Sequence, residues 1–298
     1  MPVPARRPQQ LRGRIFRGSR AVAHGLLTRN DLRSTAWRPL FRDIYADSQL
    51  RISHRTRCSV VTRWLIPPGA AVAGRAAAAL YGGLKAAPDE PVDVIAPTGV
   101  RIGPVAGLRI HTATLASDDV VRLGDIALTS PERTCWDLAR WLDMVEAVVV
   151  IDSLLARQVV TTERLREYGL RRAGDRGWRP LMRAVRFADA GAESPQESRV
   201  RVRLVLAGLP KPETQYVVAD KGQFIARLDL AWPEFRVAVE YDGLWHDDPD
   251  QFHRDRQRLN RLLGGDWIVL HVTAKRLRDD FDGFVAEVRA ALRSRRPR

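Results

Sequence analysis

Two apolar runs near the C-terminus, "FIARLDLAWP" and "RVAVEYDG", limit the possible folds of this chain more than any other feature. Both have the length and composition of buried strands, yet acids interrupt them. Asp229 lies between Leu228 and Leu230, and Glu240 and Asp242 stand two apart. Side chains alternate along a strand, so Asp229 points away from both leucines while Glu240 and Asp242 share a face. If the two strands are neighbours, the three carboxylates converge at one end of a sheet, where they repel unless a cation or a proton relieves them. A hard divalent ion, Mg2+ or Mn2+, is the simplest remedy, since it takes oxygen ligands and keeps positions for water and phosphate. The plain alternative is a polar sheet edge that discourages aggregation.

The flanking segments place these strands in a domain. "SPQESRVRVRLVLAGL" predicts a helix with Ser194 as N-cap, Pro195 at the first helical position and Gly208 as the stop. "TQYVVAD" is a strand, 220–222 a turn, 249–263 a helix, "WIVLHVT" a strand with Trp267 packing where it starts and His271 as a sheet residue, and "DDFDGFVAEVRAALRSR" a closing helix. The expected order over 190–298 is α-β-β-β-α-β-α. His246, four residues past the second acidic strand, is a candidate general acid or base, and Asp247 and Asp248 extend the acidic cluster. Asp255 and Arg258 are three apart on the following helix, so they form either a surface pair or, with Arg254, a phosphate contact. Glu197 serves equally as a capping-box partner for Ser194 or as a group orienting a metal-bound water.

The chain has 298 residues, enough for two or three domains, and carries a formal net charge of +14. Residues 191–298 hold 19 basic and 17 acidic side chains, so most of the positive charge lies earlier. A polyanion, with nucleic acid first, is the expected partner. Cys58 and Cys135 belong to no metal-ligand spacing, which removes zinc ribbons and disulfide scaffolds. No run approaches the roughly 18 apolar residues of a membrane span, and the basic start lacks a secretory apolar stretch, so a cytoplasmic protein without a membrane partner is expected.

The N-terminal part reads as a basic tail (1–14), a winged-helix-like segment (15–50) and an α+β segment (51–189). In the second of these, "GLLTRNDLRS" predicts a helix with Thr28 as N-cap and "WRPLFRDIYAD" a strand or hairpin. Trp37, Arg38 and Arg42 are candidates for nucleic-acid contact there, against a solvated face with one core tryptophan. Helices are expected over 53–64, 70–84, 144–157 and from Thr161, and another after Ser130; "PVDVIAP" and "GLRIHTA" are strands.

"SPQESRVR", "ARLDLAWPEFRVAVEYDGLWH" and "FHRDRQRLNRLLGGDWIVLHVT" resemble the very-short-patch-repair-like branch of the restriction-endonuclease-like superfamily, within it the family called domain of unknown function 559. The resemblance covers about 190–298. It implies a metal-dependent endonuclease fold in which Glu197 is the first-helix acid, Asp229 the metal-binding strand aspartate and Glu240 the second acid. His246, Asp255 and Arg258 match the family's following histidine and helix pair. Asp242 stands where many members carry lysine, which leaves either a variant nuclease, with His246 or Arg258 substituting, or an inactive domain. The N-terminal half resembles abortive-infection-type antitoxin winged-helix proteins through "GLLTRNDLRSTAWRPLFRDIYAD", "AVAGRAAAALYGGL" and "IALTSPERTCWDLA". The combined expectation is Mg2+-dependent hydrolysis of DNA, with RNA using the same site, or a non-catalytic DNA-binding regulator or antitoxin.

Overall fold

The computed structural model describes residues 5–220, 223–242 and 266–295, and the chain is a mixed α+β protein that divides into two compact units, Met1–Asp137 and Leu138–Arg298. Among the described residues no helix is long and apolar enough to cross a membrane.

The first unit opens with a small antiparallel sheet in the order β1-β3-β2, from β1 (Ile15–Arg17), β2 (Trp37–Phe41) and β3 (Ile44–Asp47). The helix expected at 25–34 is not there. A six-residue helix, α1 (Gly18–Ala23), precedes that stretch, and a single 3-10 turn at Asp31–Arg33 follows. Two local causes are visible. Gly25 takes φ +65° and ends α1, and Leu27, 2% exposed, is drawn into a core with Phe16, Ala21 and Trp37. Thr28 and Asp31 bond reciprocally, Asp31 N donating to Thr28 Oγ1 at 3.1 Å and Thr28 N to Asp31 Oδ2 at 2.7 Å, but the N-cap of the 3-10 turn is Asn30 and not Thr28.

The rest of this unit contains α2 (His54–Trp64), α3 (Gly74–Leu80) and a five-stranded mixed sheet. Its strands are β4 (Ala71–Val72), β5 (Val92–Pro97), β6 (Leu108–Ala113), β7 (Val120–Leu123) and β8 (Ile126–Thr129), in the order β6-β5-β4-β8-β7. Ser53 caps α2 by accepting from Thr56 N. The helix expected from 70 begins only at Gly74, because Ala71 and Val72 pair with Ile95 and Val94 as a buried strand. α4 (Pro131–Trp141) runs across the division between the units.

The second unit holds α5 (Met144–Ala156), α6 (Thr162–Arg171), α7 (Trp178–Phe187) and α8 (Pro195–Leu206). A four-stranded sheet follows from β9 (Glu213–Asp220), β10 (Gln223–Trp232), β11 (Val237–Asp242) and β12 (Ile268–Thr273), in the order β12-β11-β10-β9. β9, β10 and β11 are antiparallel neighbours, whereas β12 runs parallel to β11. Two helices close the chain, α9 (Ala274–Asp279) and α10 (Phe281–Ser294), where one was expected. Val200 and Leu204 of α8 and Phe284, Val288 and Leu292 of α10 pack with Leu230, Val237, Val239 and Val272 on one face of this sheet. Ala231, Ala238 and Trp267 form a smaller cluster with Leu228 and Val218. The composition change near residue 190 falls inside this unit, since Asp152 on α5 accepts from Ser198 Oγ on α8 at 2.7 Å. The helix expected over 249–263 lies outside the described residues.

Candidate functional site

The acidic face grows out of strand pairing. The last paired positions between β10 and β11 are Leu230 and Val239, so Asp229 and Glu240 lie just beyond the end of the ladder. Along β11, Asp242 shares a side with Glu240 by alternation. Here the ladder gives way to a side chain, because Tyr241 N donates to Asp229 Oδ2 at 2.9 Å. Glu240 is 6% exposed.

β12 brings a residue that was read only as part of the sheet. The parallel register sets Glu240 beside His271, and His271 Nδ1 lies 3.1 Å from Asp242 Oδ1. The position of an imidazole beside Asp242 depends on a parallel pairing between β11 and β12 that no local pattern reveals.

Glu197 approaches from α8. Ser194 Oγ accepts from Glu197 N at 3.2 Å, which completes the expected cap. The carboxylate is 9% exposed, and its Oε2 accepts from Glu193 N at 3.0 Å and Gln215 Nε2 at 2.9 Å. Burial pushes the Glu197 carboxyl above the ordinary value and the neighbouring Asp229 charge adds to this, against the hydrogen bonds from Ser194, Glu193 and Gln215.

Gln215 is the other residue that the sequence did not single out. The β9–β10 pairs Tyr216–Leu228 and Thr214–Leu230 bracket it opposite Asp229, and its backbone sits in the left-handed region at φ +52°. A non-glycine residue there is uncommon and costs about 1 kcal/mol or more. This conformation accompanies the turning of its amide onto Glu197. A cavity of about 500 Å³ adjoins, lined by Ser153, Arg157, Glu193, Ser194 and Gln215 among others.

The structure thus sets Asp229 near enough to Glu197 for its charge to raise the Glu197 pKa, leaves Asp229 and Glu240 just past the end of the β10–β11 ladder, and joins Asp242 to His271. Among the described residues, however, no three His, Cys, Asp or Glu side chains come together in a group that could hold a metal ion. As placed, Asp229, Asp242 and Glu197 each accept from a protein group, so the arrangement does not by itself fit an ion. His246, Asp247, Asp248, Arg254, Asp255 and Arg258 lie outside the described residues. In the first unit Trp37 is 3% exposed and packs edge-on against Phe16 at 5.1 Å, so it is a core residue and not a stacking platform. Arg38 donates to Leu50 O at 2.6 Å, and Arg42 is exposed in the β2–β3 turn.

Fold and site together define a mixed α+β protein whose C-terminal sheet carries acids on neighbouring strands. The chain is 31% identical over 203 residues to "Uncharacterized protein MT2308" of Mycobacterium tuberculosis (strain CDC 1551 / Oshkosh), covering 68% of this chain and 73% of that one. The same figures hold for "Uncharacterized protein Rv2248" of Mycobacterium tuberculosis (strain ATCC 25618 / H37Rv). This chain belongs to the family of those two proteins. No family model matches it, and no solved structure matches it.

Proposed function

We propose that the protein is a metal-dependent, nuclease-like enzyme that hydrolyses phosphodiester bonds in DNA, with the reacting groups on the second unit. The observation that carries this reading is the placement of Asp229 and Glu240 just past the last β10–β11 pair, where Asp229 takes the Tyr241 N–H, with Asp242 two residues after Glu240. Carboxylates are rarely buried, and Glu240 is buried near the end of an otherwise apolar strand. The described order α8, β9, β10, β11, β12, α9 and α10 supports a restriction-endonuclease-like reading in its strands, with two closing helices where that reading implies one and 249–263 outside the described residues. Glu197, with its raised pKa, is suited to taking or giving a proton nearer neutral pH than an ordinary carboxylate. His246, Asp255 and Arg258 enter by resemblance. Mg2+ or Mn2+ is the proposed cofactor. Holding it requires Asp229 and Asp242 to exchange their present donors for the ion.

Incubating the purified protein with supercoiled DNA and Mg2+ or Mn2+ tests this. The expected result is nicking that needs the metal and falls at least about 100-fold in Asp229→Ala and Glu240→Ala. Cutting without metal, or cutting unchanged by both substitutions, overturns the proposal.

One observation favours a second reading, a non-catalytic DNA-binding regulator or antitoxin: the described carboxylates do not form an ion-holding group as placed. That protein would bind DNA with a steep salt dependence and keep its affinity when Asp229 and Glu240 are replaced.

A further inference from the structure

The first unit contains a groove of about 670 Å³ between the β2–β3 turn, the end of α2 and the segment before β6. Arg42, Trp64, Pro67, Arg101, Ile102 and Pro104 are among the residues that line it, and none of the lining residues is acidic. Trp64 is half-buried, and its backbone is held where α2 ends because Arg17 Nη2 donates to Trp64 O at 2.9 Å. The Arg63 guanidinium lies 5.3 Å from the Trp64 ring centroid. The nearest acid in sequence, Asp43, is occupied by Ser19, whose N and Oγ donate to its two oxygens at 2.7 and 2.6 Å. Arg42 and Arg101 are exposed, and neither has an ion-pair partner among the described residues.

We propose that this groove binds a nucleotide unit of single-stranded DNA, with the base against Trp64 and the proline-rich wall and the flanking phosphates on Arg42 and Arg101. The identification of DNA rests on the function proposed above, while the site is separate from the acidic face. The argument is charge and shape. An apolar, aromatic floor flanked by unneutralised guanidiniums and free of carboxylates suits a ligand that alternates a flat ring with an anion. The surrounding unit also attracts polyanions, since residues 1–137 carry 20 basic and 11 acidic side chains, a net charge of +9. Arg38, bonded to its own main chain, is left out of the contact.

The test uses the full chain in EDTA, so that binding is read without hydrolysis. Anisotropy of a fluorescein-labelled 12-nucleotide oligothymidylate is followed against salt for wild type, the double variant Arg42→Ala/Arg101→Ala, and Trp64→Leu, each checked for unchanged circular dichroism. Two lost phosphate contacts lower the slope of log K against log salt by about 1.4, at about 0.7 per contact for single strands. Loss of the ring weakens binding about tenfold at unchanged slope. Because both arginines are exposed, the double variant keeps the test intact should Trp64→Leu misfold. Wild-type affinity and slope in the double variant overturn the proposal. So does an acidic, phenylalanine-containing peptide that binds more tightly than the oligonucleotide and is lost in the same variants. DNA cutting with intact binding by the groove variants removes only the groove, and groove-dependent binding without cutting under any metal removes only the hydrolytic reading.

Discussion

A carboxylate in the first turn of a helix is ordinarily favoured by the helix dipole, yet Glu197 on α8 has its pKa raised. Burial dominates, and Asp229 adds a like charge. An acid whose folded pKa is raised contributes fully to stability below its ordinary value of 4.5, and loses that contribution as pH climbs through the folded value. Glu197→Gln can still accept from Glu193 N and removes the repulsion. It is therefore expected to melt above wild type at pH 7.5, with the gain vanishing towards pH 4, as thermal unfolding at both pH values would show. A neutral residue that stabilises the fold would mark Glu197 as retained at a cost, as functional acids often are. Glu240 and Asp242 were legible because alternation is local, whereas Leu228 and Leu230 pack in different clusters, so Asp229 does not lie opposite both leucines as alternation alone predicts. Gln215 and His271 were not legible, since one depends on a single left-handed φ and the other on a parallel pairing between strands separated in sequence.

At the scale of elements, α5 and α8 are joined by a buried network. Arg201, fully buried, donates to Asp152 Oδ2 at 2.5 Å and also to Phe187 O, while Asp189 N donates to Asp152 Oδ1 at 2.7 Å. Burial raises the Asp152 pKa, against the opposing effects of Arg201, Ser198 and Asp189. Asp152→Ala leaves the guanidinium without its carboxylate, and removing one member of such a pair costs about 3–5 kcal/mol. Urea unfolding would measure this, and a loss below 1 kcal/mol would show that the network does not hold α8 in place. The network links elements on either side of the composition change near residue 190. Helices with caps at Ser53, Thr161 and Ser194 were legible from short-range chemistry. β4, β7 and β8 were not: they span two to four residues, too few for alternation to register, and β4 hides in an alanine-rich run. Nor was α7 recognised, although its apolar residues Leu181, Ala184 and Val185 are buried at helical spacing.

For the whole molecule, charge and acid chemistry separate along the chain. The first unit carries a net +9 of the total +14, whereas the second holds the acids of β10 and β11. On the proposed reading the basic unit raises the local concentration of a polyanion and the acidic face acts on it, so DNA affinity falls steeply with salt while any metal requirement stays with the second unit. The central claim is that Asp229, Glu240 and Asp242 together take a divalent ion. Isothermal titration of Mn2+ into wild type and Glu240→Gln, without DNA, reads this directly. The account predicts a saturable heat near one ion per chain that is present in wild type and lost in the variant; no saturable heat in wild type, or the same heat in both, would contradict it.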